Sequence, residues 1–307
     1  MVKRKTLLRL KNCWPYYLLM LPGLIYFLVN NYLPLSGIII AFKNINYSIG
    51  WFASPWTGVK NFEFLFTFGS LYTIIRNTVL YNAAFIVLGT VFSVATAIFL
   101  NEVRSKTAGR IFQTLILLPY LMSMVVVSYL VYAFLSVETG YINNSILPLF
   151  GIEPIAFYYV QGVWPFILTF VNLWKSVGFS GIVYYAAVLG ISEELFEAAR
   201  VDGAGKLQQI FRITIPCIKP TIITMFILSV SKIFFSDFGL FYHVPKNSGI
   251  LYLVTQTIDT YVYNALMNNN NPGMSGAVGL FQSVVGFIMV VAANALIRRT
   301  SSENALF

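Results

Sequence analysis

The chain has 307 residues, of which 58% are hydrophobic, 17% aromatic and 10% charged, where a soluble domain carries about a quarter charged residues. The apolar residues come in long runs, so the solvent is a bilayer and a soluble enzyme is excluded. The net charge of +9 collects at the ends of those runs, which speaks for orientation in a membrane and against a nucleic-acid partner.

The N-terminal segment 1–13, MVKRKTLLRLKNC, is basic and leads into WPYYLLMLPGLIYFLV. That run is too long for a signal peptide and no small-residue cleavage site follows it, so it reads as an uncleaved first span. A hydrocarbon core of ~30 Å needs about 20 apolar residues as a helix. Six segments qualify: 14–40, 71–100, 111–135, 160–189, 220–235 and 274–297. The fifth is short and reaches spanning length with Ile218 and residues 237–240 added. All must be helical, because backbone groups in lipid can satisfy only each other. Pro22, Pro34 and Pro165 are expected to kink their helices or mark their ends.

Lysine and arginine favour cytoplasmic loops. Lys3, Arg4, Lys5, Arg9, Lys11, Arg104, Lys106, Arg110, Arg200, Lys206, Arg212, Lys219, Arg298 and Arg299 fall on one side, against Lys43, Lys60 and Lys246 on the other. This bias predicts an all-α membrane protein with six transmembrane helices and both termini cytoplasmic. Its parts are a cytoplasmic segment 1–13, a six-span domain 14–298 and a cytoplasmic tail 299–307. External loops are expected at 41–70, 136–159 and 237–273.

Between spans four and five, the cytoplasmic loop 190–219 concentrates charge in a chain that otherwise has little. Ser192 before Glu193 and Glu194 suits an N-cap with an acidic first turn. Glu197 and Arg200 are three apart and can pair on the surface. Asp202-Gly203-Ala204-Gly205 then ends the helix. A second surface helix follows, with Leu207, Ile210, Phe211, Thr214 and Ile218 at helical spacing. Pro216 and Pro220 return the chain to the membrane. An amphipathic anchor would explain the periodicity. The small pair Ala198-Ala199 before a glycine turn points instead to close contact with another protein.

At these residues the chain resembles the integral membrane subunits of ATP-binding cassette importers. Their signature is Glu-Ala-Ala, three residues, Gly, nine residues, then Ile-x-Leu-Pro. Glu197-Ala198-Ala199, Gly203, Ile213 and Pro216 meet it, with Ile215 in place of Leu. The resemblance implies the type I importer permease fold, with a coupling helix between spans four and five. It implies that Glu197, Ala198, Ala199, Arg200, Asp202, Gly203, Ala204, Ile213 and Pro216 form the contact with the ATPase. Two such ATPase subunits would carry the ATP and magnesium. The further implied partners are a second homologous permease in a heterodimer and an extracellular or periplasmic solute-binding protein, all at a bacterial cytoplasmic membrane. The flanks NLWKSVGFSGIVYYAAVLGIS and DTYVYNALMNNNNPGMSGAVGLFQSVVGFIMV resemble permeases for oligosaccharides or polysaccharide fragments.

The chain carries no catalytic constellation of its own. Gly205-Lys206 runs into Leu207, so no phosphate loop forms, and no H-E-x-x-H, C-x-x-C or G-x-S-x-G occurs. His243 stands alone in an external segment, and Cys13 and Cys217 give neither a disulfide framework nor a metal spacing. No cofactor or metal is expected on this chain, and ATP hydrolysis falls to partners.

A sugar path needs polar groups for hydroxyls and aromatic faces for rings. Asn82, Asn172, Trp174, Lys175, Tyr184, Gln282 and Ser283 are the path candidates, with Asn77, Tyr81 and Tyr185 beside them. Asn82 and Gln282 lead, because an amide in lipid needs a partner. Lys175 could line the path or bind a structural carbonyl, while Arg76 and Lys232 are read as snorkelling to the headgroups. Gly276, Gly279 and Gly286 suit close packing against a partner subunit. The alternatives are an importer for a non-sugar solute, an ion-gradient carrier and a non-transporting scaffold or membrane enzyme. A carrier is disfavoured because no span holds Asp or Glu.

Overall fold

The computed structural model describes residues 14–63, 70–268 and 270–300. The segment 1–13, with Cys13, and residues 301–307 of the expected tail lie outside the described residues, as do 64–69 of the first external loop. Among the described residues the fold is helical, with one isolated bridge between Lys43 and Trp56.

Helix α1 (Trp14–Phe27) contains Pro22 and continues through a π-turn at Leu28–Tyr32 into a 3₁₀ segment Leu33–Phe42 that has Pro34 in its first turn. Together they form a candidate span Trp14–Phe42. A proline has no N–H to give, so the change of helical form at Pro34 follows from its ring. No residue of α1 is buried, which leaves its apolar surface to lipid or another chain.

Helix α2 (Ser70–Glu102) has 33 residues, about 50 Å at ~1.5 Å per residue. It exceeds a ~30 Å hydrocarbon core, so Glu102 can stand in water while the middle crosses lipid.

The expected third span, 111–135, is not one straight helix. It consists of α3 (Lys106–Leu121) and α4 (Met124–Leu135), bent by 95°. Pro119 sits in the last turn of α3, and the Ser123 hydroxyl starts α4 by accepting from the Val126 N–H. Lys175 gathers the carbonyls around the break, of which Pro119 O also accepts the Met122 N–H (3.2 Å). Its ammonium donates to Pro119 O (3.3 Å), Tyr120 O (2.9 Å) and Met122 O.

Helix α5 (Trp164–Leu189) has Pro165 in its first turn and ends at Gly190. It runs along α2 and also packs on α3. A Cβ on Gly178 would lie 1.8 Å from the Ile116 carbonyl oxygen, and one on Gly181 3.1 Å from Thr96. Close helix approach therefore requires both glycines. Trp164, Leu168 and Val171 of α5 form a core with Tyr81, Val127, Leu240 and Phe241.

After α6 (Glu193–Val201), a one-turn helix Lys206–Gln209 and a π-turn Ile210–Thr214 lead directly into α7 (Ile215–Val230). The whole stretch Lys206–Val230 is one candidate span. This corrects two expectations. The second surface helix of the loop is the first part of span five, and the span gains its length there rather than from 237–240. The π-turn precedes Pro216 and Pro220, which lets the hydrogen-bond ladder shift register around their missing N–H groups.

Residues 237–240 instead begin α8 (Phe238–His243), whose Leu240 N–H is accepted by the Asp237 carboxylate. Helix α9 (Ile258–Met267) follows, and α10 (Pro272–Thr300) forms the last span. Gly276 of α10 faces Ala41 and Gly286 faces Phe235. Those two glycines therefore serve packing within the chain, not the expected partner subunit, while around Gly279 there is open space.

Candidate coupling loop and transport cavity

Two features stand out on this scaffold. The first is α6 and its turn. Glu193 and Glu194 occupy the first turn of α6, where the dipole favours them. The Ser192 hydroxyl makes no capping bond, contrary to the expectation for that residue. At the other end Ala204 N–H donates to Ala199 O (2.8 Å) and Gly203 N–H to Arg200 O (3.1 Å). Those are the two bonds of a Schellman motif. It needs a left-handed residue, and Gly203 has φ +78°.

The next helix is tied to the same turn. Gly205 N–H donates to Gln208 Oε1 (3.0 Å), Gln209 Nε2 donates to Ala204 O (2.9 Å), and the Lys206 ammonium meets Glu102 at 2.7 Å. Glu197 and Arg200 form no ion pair among the described residues. Glu197, Ala198, Arg200, Asp202 and Gly203 are exposed, while Ala199 and Ala204 are half-buried. Ile213 lies in the π-turn and Pro216 in the first turn of α7, apart from the α6 surface. Val201 is 88% exposed and Leu195 48%, so two apolar side chains of α6 stand uncovered on this chain.

The second feature is a cavity of about 300 Å³ between α2, α5 and α7, at the lower end of the size range of ligand sites, ~300–1,000 Å³. Asn82, Phe85 and Thr90 line it from α2, Asn172, Ser176, Ser180 and Tyr184 from α5, and Ser229 from α7. Lys232 and Phe235, just beyond α7, complete the wall. Several hydroxyl protons are already spent: Ser176 donates to Asn172 O (2.7 Å) and Ser229 to Met225 O (2.9 Å). Their lone pairs remain for donors such as sugar hydroxyls.

Of the path candidates, Asn82, Asn172 and Tyr184 meet in this cavity. The others lie elsewhere. Trp174 lines a separate apolar hollow with Phe92, Leu115 and Pro119, and Lys175 caps the broken third span. Gln282 is buried and donates to Phe234 O (2.6 Å) and to the Asp259 carboxylate (3.2 Å). Ser283 bonds to Gly279 O within its own helix. Asn77 and Tyr81 donate to backbone oxygens of Leu253, Gln256 and Val254, as Arg76 does to Leu253 O. Arg76 thus holds the segment above rather than snorkelling. Asn82 also pins Ile233 O (2.9 Å) and Phe235 O (3.1 Å).

Sequence reasoning missed Thr90, Ser176, Ser180, Ser229 and the cavity position of Lys232. A signal existed for part of this set. Asn172, Ser176, Ser180 and Tyr184 stand four apart, a polar stripe on one face of an apolar helix.

Residues 89–302 match the family described as "Binding-protein-dependent transport system inner membrane component". The chain is 35% identical over 301 residues to the polygalacturonan/rhamnogalacturonan transport system permease protein YteP of Bacillus subtilis (strain 168), covering 98% of this chain and 93% of that protein. It is 33% identical to Protein LplB of the same organism, covering 94% and 89%. Among solved structures, it is similar to a chain of a bacterial ABC transporter involved in the import of the acidic polysaccharide alginate. The TM-score there is 0.88 at 32% identity, covering 97% of this chain and 99% of that one. The alginate transporter in complex with its alginate pentasaccharide-bound periplasmic protein gives a TM-score of 0.85 at 32% identity, covering 95% and 97%. On the family match and these identities, the chain belongs to the inner membrane components of binding-protein-dependent transport systems.

Proposed function

We propose that this chain is one permease subunit of an ATP-driven importer that carries oligosaccharides across the bacterial cytoplasmic membrane by alternating access. The proteins named for polygalacturonan/rhamnogalacturonan and for alginate support a saccharide, specifically one bearing uronic acids. The cavity supports it too, with aromatic faces beside oxygen acceptors. Its partners are a second homologous permease, a solute-binding protein outside and two ATPase subunits inside that hold ATP and magnesium. Both termini and α6 face the cytoplasm in this arrangement, and α6 is the coupling helix.

The observation that carries the reading is mechanical. The Schellman turn joins α6 rigidly to Lys206–Val230, a single helical stretch whose far half lines the cavity. The exposed Lys206–Glu102 pair adds a weak tie from the same point to α2. Displacing α6 therefore moves α7, one of the three helices that surround the cavity. ATP binding can shift the equilibrium between inward and outward forms only through different affinity for the two, and contact at Glu197 is where that difference enters. Reversing this charge with Glu197→Lys should abolish co-purification of the ATPase subunits and substrate uptake together, while the folded permease persists in the membrane. Retained co-purification and uptake would refute the docking role of α6.

A further inference from the structure

We infer that Lys232 is the residue by which the cavity reads a carboxylate on the transported sugar. The inference rests on the importer reading above and deepens it by assigning the specificity to one side chain. Lys232 follows α7 in a tight turn, with its N–H on Ser229 O (3.0 Å) and its carbonyl accepting from Phe235 N–H (2.8 Å). The backbone there is fixed twice over, because Asn82 holds the carbonyls of Ile233 and Phe235. The side chain lines the cavity alongside Asn82, Phe85 and Phe235.

Three observations give this position an electrostatic role. No Asp or Glu lines the cavity, and Lys232 is its one charged lining residue among those described. Its ammonium has no carboxylate or carbonyl partner among the described residues. Asp259, carried on the neighbouring segment, is occupied by Ser236 (2.7 Å) and Gln282. By contrast, Lys175 and Arg76 both donate to backbone oxygens. Lys232 thus stands as an exposed, unspent positive charge on the wall of a cavity otherwise lined by hydroxyls, amides and apolar groups. A carboxylate entering such a space loses part of its hydration, and an ammonium offsets that loss with an opposite charge and three donors. A neutral sugar gains nothing comparable from it.

The test uses the complete importer in proteoliposomes, with saturating binding protein and two probes: trigalacturonate and its methyl ester, which keeps the rings and removes the charge. Wild type should favour the acid. K232Q should lower maximal uptake of the acid about tenfold, the scale of one charge-assisted hydrogen bond, and leave the ester unchanged. K232R should restore the preference. Equal loss for both probes would make Lys232 a packing or helix-end residue, and loss for neither would make it a snorkelling bystander. Either result, or a wild type that prefers the ester, overturns the assignment while leaving the importer reading intact. A wild-type complex with docked, active ATPases that imports no acidic or neutral oligosaccharide would overturn the oligosaccharide reading and this assignment with it.

Discussion

Replacing Gly203 isolates the lever from the rest of the fold. A Cβ built at this position meets nothing within 4 Å, so an alanine there is not penalised by collision. The penalty is backbone alone: φ is +78°, and an ordinary L-residue in the left-handed region costs about 1–2 kcal/mol. Asn visits that region more readily, and β-branched Val is the worst fit. For Ala, 1–2 kcal/mol lowers the weight of the native turn against its alternatives about five- to thirtyfold. Uptake and binding-protein-stimulated ATPase activity in proteoliposomes should therefore decline in the order Gly, Asn, Ala, Val. The quantity of folded permease in the membrane should stay constant, because α6 is largely exposed and its turn supports no core. A Gly203→Val variant with wild-type uptake would refute the argument that the left-handed turn transmits motion. So would a loss of uptake matched by an equal loss of folded chain, since the turn would then serve folding rather than coupling.

Two further substitutions test the scaffold around the cavity. Lys175→Met strips the donor from the carbonyls of Tyr120 and Met122, while Pro119 O keeps the Met122 N–H, at a cost of about 1 kcal/mol for each partly buried oxygen left unpaired. Thermal stability of the purified importer in detergent should fall, and Lys175→Arg should recover part of it; unchanged melting of the Met variant would show that the 95° bend stands without Lys175. Gly178→Ala places a methyl 1.8 Å from the Ile116 carbonyl oxygen, so α3 and α5 must part. The yield of folded chain should drop sharply, whereas Gly109→Ala in α3, with nothing within 4 Å of its Cβ, should not alter it.

The presence of five unbroken apolar spans and the α6 turn was legible in the sequence because each depends on local chemistry. Length and apolarity decide whether a helix can cross a bilayer, and glycine after Asp202 decides where α6 stops. The bend in the third span was less legible. Met122 and Ser123 sit within an apolar run, and the donor that stabilises the break, Lys175, lies more than fifty residues away. The fifth span was misplaced for a related reason: Pro216 and Pro220 read as breakers, yet the π-turn at Ile210–Thr214 lets the helix run through them.

The cavity shows what separates a readable site from an unreadable one. Trp174 is two residues from Asn172, and at ~100° per residue it points to the other side of α5, whereas Lys175, three residues on and near the same face, is drawn to the break between α3 and α4. Asn172, Ser176, Ser180 and Tyr184 share a face, and that face meets Asn82 only because Gly178 and Gly181 let α5 approach its neighbours closely. Polarity residue by residue therefore selects amides that satisfy backbone, such as Gln282, as readily as those lining a path. Polarity repeated every four residues selects a surface, and in a helix otherwise made for lipid such a surface needs either a partner helix or a passing solute.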